Sequence, residues 1–355
     1  MRDLENLLTT PGKNSKNTRP SRGKSFGYQI LGFGSGGGKV PVVARFLLIA
    51  GGGGGAQLNS PIGGTAGGGG GGVTYMASSP NAGDAVFFQG ANPIVIGGGG
   101  AGAVSGTQNQ IGTDSTINLI AAQSGGGGST NATPNFPAFQ KNPAGPADQD
   151  GTQGYGGSGS GSPRGNGVGG LAFQPQIPGI SGTSGFGNNG GPGNPNVGSR
   201  TSGGGGGAGG AGGAPGGPGP RASGPGGSGK DIPGAFPNPI FSPTTIAGGG
   251  GSGQYATYSG AGGAAGPGGG AAGSPNTGSP APGRAGGANT GGGGGGGGFE
   301  PRNPPSDGGN GGSGVGFVRI DPGPAAMAVT GAGNTITTVG SEKTAKFIVS
   351  GTLTL

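Results

Sequence analysis

The chain has no cysteine, no histidine and no tryptophan, and only 8% of its 355 residues are charged. Without thiols or imidazoles it forms no disulfide, no zinc finger, no thiol nucleophile and no imidazole general base, so most enzyme chemistries are excluded. Aromatic residues make up 5% and hydrophobic residues 28%, too few to build an ordinary core for a chain of this length. The low charge argues equally against the usual kind of disorder, in which net charge keeps a segment solvated. No apolar run approaches the length of a membrane span, and MRDLENLL at residues 1–8 lacks the apolar stretch of a secretory signal. The expectation is a chain made and kept in the cytoplasm.

What fills the chain is glycine, at 106 positions, joined by 32 prolines. The glycines come in uninterrupted runs such as residues 51–55, 67–72, 203–207 and 291–298, without collagen's every-third spacing. Glycine loses the most backbone entropy on folding and buries no side chain, so such runs are either disordered or locked by backbone hydrogen bonds. One ordered solution needs no side-chain core. It is the left-handed polyproline-II-like helix with three residues per turn, in which each N–H and C=O points at a neighbouring helix. Only glycine lets backbones approach that closely, and at a rise of about 3.1 Å an eight-residue run would be about 25 Å long. Residues on the outer face of such a bundle tolerate side chains, which accounts for the Ala, Ser and Pro scattered through 203–219 and 259–287.

The net charge of +7 is concentrated at the front. Residues 1–45 carry eight basic side chains (Arg2, Lys13, Lys16, Arg19, Arg22, Lys24, Lys39 and Arg45) against Asp3 and Glu5, leaving the remainder nearly neutral. A basic arm on a neutral body reads as a docking segment for an acidic protein surface. It lacks the interleaved aromatics that stack on bases, so nucleic acid is not the expected partner.

Along the chain, residues 3–8 have the spacing of one or two helical turns, and 25–33 that of a short strand. The segment 40–50, VPVVARFLLIA, is the most apolar and reads as a buried strand feeding the first glycine run. The same pattern recurs at 93–100, 118–128 and 244–251, at no fixed period, which suggests a compact bundle rather than a solenoid. Segments 86–93, 131–146, 171–186, 231–243 and 299–306, rich in proline, asparagine and aromatics, read as loops. Residues 308–320 close a glycine run with an alternating strand. Beyond them, strands are expected around 328–330, 335–339, 343–349 and 351–355. The expected fold is mostly irregular and all-β: short strands plus a bundle of polyglycine-II helices, with an extended N-terminal arm (1–44), a glycine-rich body (45–320) and a small C-terminal β module (321–355).

FLLIAGGGGG at 46–55, the succession of long glycine runs, and GGNGGSGVGFVRI at 308–320 resemble the glycine-rich domain of bacteriophage tail-fibre and other virion proteins. In composition and run architecture the chain is also similar to the polyglycine-II tail-fibre tip adhesins of T-even-type phages. The resemblance covers about residues 45–320. It implies a sandwich of polyglycine-II helices whose connecting loops bind a bacterial receptor. The basic arm and the C-terminal β segment depart from the adhesin pattern, which leaves a structural or decorating place in capsid or tail open.

Motifs with other chemistry are weak. GPGGSGKD at 224–231 has phosphate-loop spacing with Lys230 in the lysine place, but Asp231 replaces the Ser or Thr that would ligand magnesium. Asp148 and Asp150 are too few carboxylates for a hard-cation cage, and Asn131-Ala132-Thr133 is a glycosylation acceptor without a secretory signal. No catalytic, cofactor or metal site is expected. The candidate docking residues to other virion proteins are Arg2, Lys13, Lys16, Arg19, Arg22 and Lys24. The candidate receptor or subunit contacts are Phe87, Phe88, Phe136, Phe139, Phe236, Phe241, Tyr255 and Tyr258, since aromatic anchors dominate recognition patches. The reading is a non-enzymatic, homo-oligomeric virion protein contributing to host attachment through a bacterial surface receptor. Its alternatives are a purely structural decoration protein and a fibrous or disordered glycine-rich cellular protein.

Overall fold

The computed structural model describes residues 40–57, 64–76, 86–104, 110–118, 120–128, 156–162, 168–174, 183–194, 201–216, 222–231, 244–254, 261–275, 281–298 and 306–355. The basic arm, with the helical turns and strand expected at 3–8 and 25–33, lies outside them. The chain divides into two units, Met1–Val40 and Pro41–Leu355, and the description below concerns the second.

The described residues are all-β, with no helix. A six-stranded antiparallel sheet runs in the order β13 (Thr335–Val339), β14 (Glu342–Phe347), β11 (Val315–Ile320), β2 (Arg45–Ile49), β3 (Val73–Met76) and β8 (Thr183–Phe186). A five-stranded antiparallel sheet runs β12 (Ala328–Val329), β15 (Gly351–Thr354), β5 (Ala91–Val95), β6 (Ser115–Ile117) and β7 (Ile120–Ala122). Two short pairs complete the strands: β1 (Pro41–Val42) with β4 (Phe87–Phe88), and β9 (Lys230–Asp231) with β10 (Thr245–Ile246).

The continuous apolar run at 46–50 is explained by burial on both faces, since a strand covered on two sides has no polar alternation. Phe46, Leu48 and Ala50 face a core shared with Met76, Val318, Ala345 and Phe347, met from the other sheet by Ile94, Ile117, Ile120 and Leu353. Leu47 and Ile49 face the opposite way, with Val73, Val315 and Phe317, against Ala208, Ile246 and Ala247 beside the glycine runs. Each of the four side chains from Phe46 to Ile49 is fully buried and contributes about 1.5–3 kcal/mol. Four residues of unbranched alternation would have left half of that in water.

The C-terminal residues 321–355 form strands at the expected places, and those strands belong to both sheets. β14 pairs with β11, and β15 pairs with β5, Thr352 lying opposite Pro93. Segments that read as loops differ more. Residues 86–93 contain β4 and the start of β5, 171–186 ends in β8, and Asp231 lies in β9. Their glycines and prolines mask strands that the neighbouring strands, not local propensity, impose.

The glycine runs continue from the strand ends, and their backbone groups are satisfied by one another. In the run 51–56, Gly51 and Gly54 donate to Thr113 and Gln110, Gly52 and Gly55 to Gly312 and Gly309, and Gly53 and Ala56 to Gly69 and Ala66. The carbonyls of Gly51 and Gly54 accept from Gly125 and Gly128, those of Gly52 and Gly55 from Gly100 and Ala103, and those of Gly53 and Ala56 from Gly294 and Gly297. Each partner run recurs every third residue, so this run is bonded to three neighbours by donation and to three others by acceptance. The run 291–298 has the same arrangement: Gly293 and Gly296 donate to Gly248 and Gly251, Gly294 and Gly297 to Gly53 and Ala56, and Gly295 and Gly298 to Arg284 and Ala281.

Spacing, not backbone torsion, demands glycine here. None of Gly51 to Gly55 or Gly67 to Gly72 has positive φ, yet a Cβ on any of them would lie under 3.0 Å from another residue, almost always a backbone carbonyl. The interior runs 51–57, 64–72, 201–208 and 290–298 are buried throughout. Several peripheral runs expose residues at a spacing of three, and those positions carry side chains: Val168 and Leu171; Ala222, Pro225, Ser228 and Asp231; Ala261, Ala264 and Pro267; Pro282, Ala285 and Ala288, with Phe173, Ala265 and Arg284 exposed besides. The uninterrupted runs at 51–55, 67–72, 203–207 and 291–298 thus mark the interior and the pattern Gly-Gly-X the surface, whereas the four-glycine run 97–100 is peripheral, with Gly98 and Gly99 exposed.

Candidate functional site: the ends of the glycine runs

The register of backbone bonds sorts the run ends. Ala56 bonds Ala66, Gly253 bonds Thr65, Gln254 bonds Ser274, Gly297 bonds Ala56, and Gly308 bonds Ala103. The Gln57 amide donates to Asp307 at 3.0 Å in the same layer. These residues form the end of the bundle away from the strands. The described residues Gln57, Gln254, Ser274, Gly298 and Ser306, from which the chain continues into or returns from segments outside the described residues, lie at or beside that end.

Most candidate contact residues lie outside the described residues: Phe136, Phe139, Phe236, Phe241, Tyr255 and Tyr258, together with the docking residues Arg2, Lys13, Lys16, Arg19, Arg22 and Lys24. Their flanks are nonetheless informative. Tyr255 and Tyr258 follow Gln254, at the end away from the sheets. Phe236 and Phe241 lie between β9 and β10, whose Ile246 packs on Leu47 and Ile49 at the sheet end. Phe136 and Phe139 lie between Gly128, bonded to Gly54, and Gly156, whose neighbour Gly157 bonds Ser124 beside β7. The described residues that flank these segments thus lie at different ends of the glycine runs.

Phe87 and Phe88 are described, and their positions differ. Phe87 is fully buried and packs in the core, with its ring edge-on to Phe46 at 6.3 Å. Phe88 is half-buried in β4. Its backbone is clamped by Asn92, whose Oδ1 accepts from Phe88 N at 3.0 Å and whose Nδ2 donates to Phe88 O at 2.7 Å.

Two surface features fall outside the candidate contact residues. Val168, Leu171 and Phe173 are 61%, 40% and 47% exposed on one peripheral run, the period-three signal being present for the first two. Tyr75 and Phe186 stack at 5.5 Å across β3 and β8, with the Lys230 ammonium 4.3 Å above the Phe186 ring. That contact also disposes of the phosphate-loop spacing at 224–231. Gly226, Gly227 and Gly229 donate to Ala264, Gly205 and Pro267, so their N–H groups are not free to cradle a phosphate, and Asp231 accepts from Thr245 Oγ1. Among the described residues no group of three or more metal-ligating side chains converges, and no helix is long and apolar enough to cross a membrane.

No family model, no curated protein and no solved structure matches the chain.

Proposed function

We propose that the chain is a non-enzymatic bacteriophage virion protein. Its glycine runs form a bundle of polyglycine-II helices, its residues 1–44 dock on other virion proteins, and its connecting segments contribute to host attachment by contacting a bacterial surface receptor. The observation that carries this reading is the period-three hydrogen bonding, in which one run engages six neighbours through its backbone alone. A left-handed helix with three residues per turn produces that pattern. A core made of backbone has no side chains left to catalyse or recognise, so recognition falls to the connections that join the runs. The resemblance of 46–55 and 308–320 to phage glycine-rich domains supports the virion assignment. The reading places the protein in the particle, assembled in the host cytoplasm, as a homo-oligomer without cofactor.

The burial of Phe87 favours a second reading, a purely structural or decoration protein, because it removes one aromatic from the contact set. Exchanging connections 129–155, 232–243 and 255–260 one at a time and measuring adsorption separates the two. Altered host range from any one exchange supports attachment, and unchanged adsorption after all three supports decoration. Slow amide exchange through 203–207 and 291–298 in the assembled particle is the expected signature of the bundle. Rapid exchange throughout both runs would exclude it, and with it the fibrous core.

A further inference from the structure

The two large sheets end in four edge strands, and three of the edges are short or covered. β12 has two residues. β7 is largely buried, with its Ala121 carbonyl accepting from Thr74 Oγ1 at 3.4 Å. β8 carries a mid-strand glycine and the Lys230 ammonium over Phe186. β13 differs from all of them. Its five residues, TITTV, include no charge, proline or glycine, four of the five are exposed, and Val339 is 59% exposed. Folded proteins ordinarily protect such an edge with lysine, proline or a bulge, because its unused N–H and C=O groups template another strand.

We propose that β13 is the surface through which two copies of this chain associate, pairing antiparallel about a two-fold axis at Thr337. It deepens the homo-oligomer of the proposed function and does not depend on the receptor. Self-pairing fits because TITTV is complementary to itself in that register: Thr337 meets Thr337, Ile336 meets Thr338 and Thr335 meets Val339, all β-branched cross-strand pairs with no like charges opposed. The nearest charges are one strand inward and already engaged. Lys343 Nζ donates to the carbonyls of Pro324 at 2.7 Å and Ala325 at 3.1 Å. Glu342 is held by the Arg319 guanidinium, and the Lys346 ammonium lies 5.9 Å from the Phe317 ring. Ile336 packs against the sandwich core, so pairing extends an existing apolar face. Two five-residue strands bury less than the roughly 1,000 Å² of a stable interface, so association of free chains is concentration-dependent and strengthens when many copies share a particle.

The absence of cysteine gives a direct test, because Thr337→Cys introduces the sole thiol. Directly opposed residues of an antiparallel pair have Cα atoms about 4.5–5.5 Å apart, within disulfide reach. Under mild oxidation Thr337→Cys should yield a disulfide dimer on the order of tenfold faster than Ser228→Cys, an exposed control, by raising the effective thiol concentration. Thr335→Cys and Val339→Cys should crosslink slowly alone and rapidly when mixed. Sedimentation of the otherwise unaltered chain should show a monomer–dimer equilibrium that Thr337→Lys abolishes while the melting temperature is kept. Equal crosslinking at 337 and 228, or a dimer that survives Thr337→Lys, overturns the proposal. So does a particle in which Thr337→Cys couples only to a different polypeptide. A chain that dimerises through β13 yet leaves adsorption insensitive to every connection keeps this proposal and rejects the attachment reading.

Discussion

Replacing Gly53 by alanine adds one methyl group to the most crowded part of the molecule, and the consequence follows from its neighbours. The added Cβ would lie under 3.0 Å from the carbonyl atoms of Gly125 and Gly126, where ordinary contact begins at 3.4 Å. The run 123–128 must therefore retreat by about 1 Å, since backbone carbonyls have no flexible end to yield. The bonds from Gly125 and Gly128 to Gly51 and Gly54, both 2.8 Å, would then exceed hydrogen-bond length, and so would that from Gly69 to Gly126, also 2.8 Å. Breaking a buried bond costs about 1–3 kcal/mol, so the loss of three is about 3–9 kcal/mol, a large fraction of a typical stability. At about 2–4 °C per kcal/mol the melting temperature should fall by about 6–36 °C. Gly98 is the matched control. Its φ is not positive, and its Cβ would meet nothing nearer than Thr113 Oγ1 at 3.9 Å. Gly98→Ala should be neutral or stabilise by about 0.4–1 kcal/mol by restricting the unfolded chain. Calorimetric melting of the two variants decides the matter. Equal melting of Gly53→Ala and the parent chain, or equal destabilisation by both substitutions, would refute the claim that interior glycine is required by inter-run spacing.

Other substitutions probe the sheets. Phe87→Ala opens a cavity beside Phe46 in the sandwich core and should cost about 3–5 kcal/mol in chemical denaturation, whereas Phe88→Ala, in the half-buried neighbour, should cost about 1 kcal/mol. Reversed magnitudes would mean that the β4 register is wrong. Asn92→Leu removes the side chain that pairs both backbone groups of Phe88, and should lower stability by about 2–4 kcal/mol with the unfolding m-value unchanged. A smaller loss would indicate that water replaces the amide at that site.

The apolar strand at 45–49, the closing strand at 315–320 and the C-terminal strands were legible because short β-branched or apolar stretches bounded by glycine have one local reading. β3 and β8 were not read as strands. VTYM, β-forming residues directly after a glycine run, fits that same reading and was passed over, whereas TSGF carries a weak signal of its own and is a strand because β3, itself paired Tyr75 opposite Leu47 on β2, offers Tyr75 opposite Ser184. The same limit applied to function. Composition pointed to aromatics as contact residues, but an aromatic in a proline-rich stretch looks alike whether it faces solvent or, as Phe87 does, the core. Val168 and Leu171 drew no attention as aliphatics, although their spacing of three is the outward face of a peripheral run.

Composition by itself excluded cysteine and histidine chemistry, left too few apolar side chains to fill more than a core confined to the strands, and demanded that glycine be either solvated or bonded backbone to backbone. Those conclusions depend only on which atoms are present. Tertiary structure alone decided which glycines are interior, because a run of glycine is identical along its length until its neighbours are known. It also decided that the C-terminal strands complete both sheets and that β13 is the last strand of one of them among the described residues. Pairing partners, unlike propensities, are long-range properties: Thr352 finds Pro93, and Gly297 finds Ala56, across most of the chain.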